Sequence, residues 1–197
     1  EMEHQVGAYV DFARDGQCSS DILGRQCAHW SFFLDTDGSV MEGNKWQDLG
    51  DGLFQSLRPE GGFSDLDLYL WGFIPPEEVR PFTLIEDWAV VSAPSEEFCQ
   101  PFDTCTEGSS IAGCGPTEGV LVSGTKRTIT IDDIVECAGE RDPSAEDAPK
   151  VKKQVIILVT PPDDDPPQTH FDGVRRFRRE WSTYFYRTTD YTGRVVT

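Results

Sequence analysis

Asparagine occurs once in this 197-residue chain, at Asn44, and lysine only five times, against 12 arginines and 35 aspartates and glutamates. The net charge of −18 argues against a nucleic-acid partner, because phosphates are repelled rather than neutralised. It argues equally against an anionic membrane surface. Long apolar runs are missing too. The longest, Val155–Val159, is strand-sized and falls far short of the ~20 residues of a membrane helix, so no membrane span is expected. There is no HExxH, GxSxG, GxGxxG or P-loop, which removes the usual signatures of metalloproteases, serine hydrolases, dinucleotide enzymes and NTPases. There is also no CxxC, and His4, His29 and His170 stand apart, so the paired ligand spacing of a zinc site is absent. A cysteine nucleophile needs an electropositive setting, and this composition offers the reverse.

Six cysteines are present, Cys18, Cys27, Cys99, Cys105, Cys114 and Cys137. An even count without metal spacing reads as disulfides and an oxidising compartment. Connectivity does not follow from spacing. The local expectation is Cys18 with Cys27, and two bridges among the other four that staple the apolar-poor loop CQPFDTCTEGSSIAGCGP. The Lys-poor acidic surface holds water well and suits a halophilic or marine setting. The chain begins at Glu1 with no initiator Met and no signal-peptide pattern, which points to a removed leader or a segment of a longer protein. The expected location is extracellular, at a cell or virion surface.

Strand signals dominate. Alternation over residues 6–12 and 29–34, in-phase apolar residues at Phe82, Leu84, Trp88 and Val90, and a hairpin over 120–131 all follow period two. GGFSDLDLYLWGF, residues 61–73, reads as another strand, with Leu66, Leu68 and Leu70 on the core face. Phe63, Tyr69, Trp71 and Phe73 fall on its far face, too apolar to be left in water. The run KKQVIILVTPP reads as a central strand stopped by Pro161 and Pro162, and residues 181–197 as a hairpin turning at 190–193. Helix signals are confined to one turn in PPEEVR and a short stretch where Val174, Phe177, Trp181 and Tyr184 make a stripe. The expected fold is all-β: a single disulfide-stapled antiparallel β-sandwich with long loops and an extended C-terminal segment. Its parts are a body over 1–160, a Pro/Asp linker over 161–169, and a basic, aromatic segment over 170–197 that packs on the body or on a neighbour.

Two aspartate pairs, Asp35 with Asp37 and Asp65 with Asp67, suggest a metal site. On a strand, residues i and i+2 share a face, so two pairs on neighbouring strand ends surround a hard cation such as calcium, which takes about 6–8 oxygens. D-x-D occurs three times, close to the roughly two that 20 aspartates give by chance. DTDGSVMEG is not an EF-hand, since its first and twelfth ligand positions fall on Phe33 and Asn44. The string SDLDLYLWG is similar to strands in the calcium-assisted β-sandwich domains that follow secreted peptidases. That likeness covers fewer than ten residues, and no residue role is carried over from it. A calcium-dependent carbohydrate-binding or adhesion module is therefore one functional alternative, with Trp46, Tyr69 and Trp71 as stacking platforms. A secreted hydrolase using paired carboxylates is another, but so many acids supply candidate pairs everywhere.

Charge distribution carries the preferred reading. Residues 170–197 hold six arginines against Asp172, Glu180 and Asp190, a local net of +3 (6 − 3), which leaves −21 on the rest. Arg175, Arg176, Arg178 and Arg179 cluster around Phe177 and precede Trp181 and Tyr184, and Arg with aromatics is what interface cores enrich. The cluster has three candidate destinations: the protein's own acidic body, the acidic surface of another copy or surface protein, or an anionic polysaccharide. The final GRVVT also reads as an edge strand that can add to another subunit. The function expected from these features is non-enzymatic: an extracellular structural protein, a subunit of a surface layer, filament or virion, making protein–protein contacts.

Overall fold

The computed structural model describes residues 4, 6–94, 115–162 and 165–197. The chain is mostly β. Strands β3 (Trp30–Asp35), β4 (Glu42–Asn44), β5 (Trp46–Gly50), β6 (Leu53–Ser56), β7 (Phe82–Ser92) and β8 (Leu121–Ile129) form one sheet in the order β4-β3-β7-β8-β6-β5. The sheet is mixed rather than wholly antiparallel, because β4 runs parallel to β3. Two ribbons accompany it: β1 (Phe12–Arg14) antiparallel to β2 (Gln17–Ser19), and β9 (Val151–Lys153) parallel to β10 (Arg194–Val196). The described residues also form three α-helices, α1 (Asp65–Leu70), α2 (Ile131–Ala138) and α3 (Gln168–Thr188). Among the described residues, only one of the three sheets has more than two strands.

Strand β3 lies inside the molecule. Trp30, Phe32 and Leu34 are buried on one face and Ser31 and Phe33 on the other, so both faces of the sheet are covered there. The expected hairpin over 120–131 is instead one continuous strand, β8, whose antiparallel partner is β7. Two irregularities bend β7, one of them around Asp87, whose φ is 49°.

The stretch 61–73 centres on helix α1 (Asp65–Leu70), not on a strand. Ser64 caps it and Asp67 completes a capping box, each side chain accepting from the other's backbone N–H. At the far end Gly72 turns with φ 71°, Gly72 N donates to Tyr69 O at 2.7 Å, and Phe73 N donates to Leu68 O at 2.8 Å. This is the Schellman arrangement, in which glycine is favoured because no Cβ opposes the left-handed turn. The far-face aromatics are answered by Phe185 of α3. Its ring lies 5.7 Å from Phe63, 6.2 Å from Trp71 and 6.1 Å from Phe73.

The disulfide expected between Cys18 and Cys27 is instead Cys18–Cys137, which ties the β1–β2 ribbon to α2 across 119 residues of sequence. Cys27 is itself disulfide-bonded. Cys99, Cys105 and Cys114 lie outside the described residues. No helix among the described residues is long and apolar enough to cross a membrane.

The C-terminal third departs most from the strand reading. Residues 168–188 form a 21-residue helix, so the expected hairpin at 190–193 is only a turn leading into β10. The run expected as a central strand enters a sheet only at Val151–Lys153. Beyond Gln154 it has no strand neighbour among the described residues, and Val155, Ile157 and Val159 are 81%, 74% and 84% exposed.

Candidate functional site

The two aspartate pairs meet, but not as a four-carboxylate cage. Asp35, Asp37, Asp65 and Arg80 line a cleft of about 270 Å³. Asp67 turns the other way, into the core. Arg80 grips Asp65 through Nε at 2.6 Å, the second guanidinium nitrogen at 3.1 Å and its own backbone N–H at 3.2 Å. It also lies 3.9 Å from Asp37, and Lys45 reaches Asp37 from another side at 3.3 Å. Positive charge in the cleft therefore comes from side chains. Among the described residues, no group of three or more His, Cys, Asp or Glu converges to hold a metal ion.

Burial raises the Asp35 carboxyl from 3.8 to about 6, with the Asp37 charge adding to it and weak donation from the Asp37 and Trp46 backbone opposing it. A carboxyl raised in the folded state holds its proton more tightly there than in the unfolded chain. The resulting stability is fully present below about pH 4 and is lost as pH rises through about 6, a difference of about 2–3 kcal/mol for a shift of this size. Asp35→Asn keeps the acceptor oxygen and removes the ionisation. It should raise the melting temperature at pH 7.5 and leave it nearly unchanged at pH 4, read by calorimetry. Equal effects at both pH values would remove the titration argument.

The rings considered for sugar stacking are packed inside. Trp46, Tyr69 and Trp71 are 7%, 4% and 4% exposed, and Trp46 Nε1 is bonded to Phe32 O at 3.0 Å. None presents a face to solvent. The tryptophan that does is Trp88, stacked on Phe33 at 4.1 Å.

The arginine cluster is brought to the surface on α3, in two unlike halves. Toward its C-terminal end Phe185 is fully buried, Trp181 Nε1 donates to Gln154 at 2.6 Å, and Ser182 bonds Val195 O at 2.8 Å. Over residues 168–180, every residue except Val174 is exposed. Phe177, Trp181 and Tyr184 stack into a ladder, with centroids 5.3 and 5.8 Å apart and planes within 22°. Phe177 and Tyr184 are about half exposed.

Among the described residues, the clustered arginines pair with no acid of the body. Arg175 pairs with Asp172 at 3.2 Å, Arg176 with Glu180 at 3.1 Å and Arg179 with Glu180 at 3.7 Å, all on the same helix. Arg178 donates to the Thr197 carbonyl at 2.9 Å. Pairs this exposed contribute little to folding, so the cluster is not explained by the stability of its own chain. Val155, Ile157 and Val159, which sequence patterning assigns to the interior, add an exposed apolar strip to the same C-terminal third. Its signal in sequence is the missing turn after Val159, where prolines and aspartates follow in place of a return strand.

No protein-family model matches this chain, and no curated protein or solved structure matches it either.

Proposed function

We propose that this chain is a non-enzymatic structural subunit of an extracellular assembly, such as a surface layer, filament or virion, acting through protein–protein contacts. The observation that supports this most is the exposed half of α3, which holds four arginines and Phe177 in solvent while the other half, where the aromatic ladder continues through Trp181, is anchored in the core. A basic, aromatic projection on an otherwise strongly acidic chain is complementary to the body of another copy. A contact of that kind joins two different patches, so it repeats head to tail. The Cys18–Cys137 bridge fits an oxidising compartment. In high salt the charge attraction is screened over a few ångströms, and the aromatic contacts carry more of the binding.

Replacing Arg175, Arg176, Arg178 and Arg179 together by Gln removes the charge and keeps good helix formers. Sedimentation should then shift from oligomer toward monomer, with stability changed by less than about 1 kcal/mol, since no packed residue is touched. Unchanged oligomers would overturn the proposal. Deleting residues 166–197 is a poorer test, because Phe185 and Val195 belong to the core.

A further inference from the structure

Residues 155–160 continue from β9 without a neighbour. The last link to β10 is Gln154 N to Val196 O at 2.9 Å. Beyond it, among the described residues, no backbone group of 155–160 has a hydrogen-bonded partner. Exposure alternates as it does in a strand: Val155, Ile157 and Val159 face solvent, while Ile156, Leu158 and Thr160 are half-buried. Natural sheets guard such an edge with lysines, prolines or bulges. Here the prolines come only afterwards, at 161 and 162, so the free donors and acceptors of 155–160 are left open to pairing.

The sequence of the strip indicates what pairs with it. Val155-Ile156-Ile157-Leu158-Val159 reads nearly the same in both directions. Antiparallel pairing of two copies about Ile157 sets Val155 against Val159, Ile156 against Leu158 and Ile157 against itself. Every residue meets one of similar size and chemistry. In the same register Lys152 and Lys153 of one copy lie at the end where the other chain enters its acidic run, so basic meets acidic at both ends. Parallel pairing would put like charges together.

We infer that residues 155–159 are a docking strand for a second copy of this chain, the two copies pairing antiparallel about a two-fold axis at Ile157. This rests on the reading of the chain as an assembling subunit, and it supplies the partner and the geometry of one contact. The pairing lengthens the β9–β10 sheet that each copy already has, whereas an isolated two-stranded ribbon is marginal in water. A two-fold contact through the strand, combined with a head-to-tail contact through α3, builds open filaments or layers.

Cysteine substitution in the full chain reads the register directly. Residues directly opposed across antiparallel strands have Cβ atoms about 4.5–5.5 Å apart, close to disulfide geometry. Under mild oxidation Ile157→Cys should give a disulfide-linked dimer on a non-reducing gel about tenfold faster than Val155→Cys alone, because the paired thiols are held together. Val155→Cys mixed in equal amounts with Val159→Cys should cross-link at a similar rate in about half of the dimers, since only mixed pairs oppose two thiols. Ile157→Lys should keep the melting temperature, since the side chain is already in solvent, and sediment as a smaller species. Two results overturn the inference: Ile157→Cys linking no faster than Val155→Cys, or linking only to a different protein. If that happens while the arginine variant still dissolves oligomers, the strand pairing falls and the assembly reading stands. If the parent chain is monomeric throughout, both fall.

Discussion

Asp67→Ala is expected to destabilise the protein by about 3–5 kcal/mol, because several buried neutral donors lose their shared acceptor at once, at about 1–3 kcal/mol each. The carboxylate is fully buried and accepts from Trp30 Nε1 at 2.7 Å, Ser64 N at 2.7 Å, Ser64 Oγ at 2.8 Å and the Ser39 hydroxyl. Those donors come from β3, from the loop before β4 and from the cap of α1. One side chain thus joins the start of a helix to the buried strand β3. Burial pushes this carboxyl up, and the donated hydrogen bonds pull it back. Removing it leaves the donors in a dry interior, where each unpaired group costs about 1–3 kcal/mol. Asp65→Ala, two residues away, removes an exposed ion pair with Arg80 and should cost less than about 1 kcal/mol. Urea denaturation of the two variants should therefore show widely separated midpoints with similar slopes. Similar midpoints would show that Asp67 does not join the two elements.

Phe185→Ala is expected to cost about 3–5 kcal/mol, as other buried Phe truncations do. Phe185 is 1% exposed, and the rings of Phe63, Trp71, Phe73 and Trp181 surround it within 6.2 Å. This is the point at which α3 is fastened to the body. Phe177→Ala, two turns earlier on the same helix, strips a half-exposed ring and should cost about 1 kcal/mol or less. The contrast between them measures the division of α3 into an anchored and a projecting half. Comparable losses from both would mean that the first half is packed rather than free.

The long strand β7 and the buried β3 were legible because their alternation or apolar density has no other reading, whereas β8 reads as a hairpin because Ser123–Lys126 carries turn residues inside the strand. Helix α1 was not, because Leu66, Asp67, Leu68 and Tyr69 are all buried and a helix buried on every side shows no 3.6-residue stripe. Its signal lay in the ends: Ser64-x-x-Asp67 at one and Gly72 at the other. The same cap, Thr130-x-x-Asp133, opens α2, which periodicity also passed over. The role of Asp67 was hidden for a related reason. Pairing it with Asp65 drew it into a cation site, whereas the helix turns the two carboxylates to opposite surroundings. The Val155–Val159 run misled because β-branched density is normally a sign of burial, and here Val155, Ile157 and Val159 stand in water. The Cys18–Cys137 bridge spans elements that no spacing rule connects. The arginine cluster was legible as a cluster but its destination was not, and among the described residues its charges stay on their own helix and on the Thr197 carbonyl.

Amide hydrogen exchange compared between dilute and concentrated protein tests the assembling surface most directly. In dilute solution residues 155–160 and 168–180 should exchange near the rate of free backbone or fraying helix, while 65–71 stays protected. On concentration the first two stretches should slow by about tenfold or more as their amides become covered, and 65–71 should not change. Oligomers that leave 155–160 and 168–180 exchanging freely, or a chain that remains monomeric at every concentration, would contradict the assembly role.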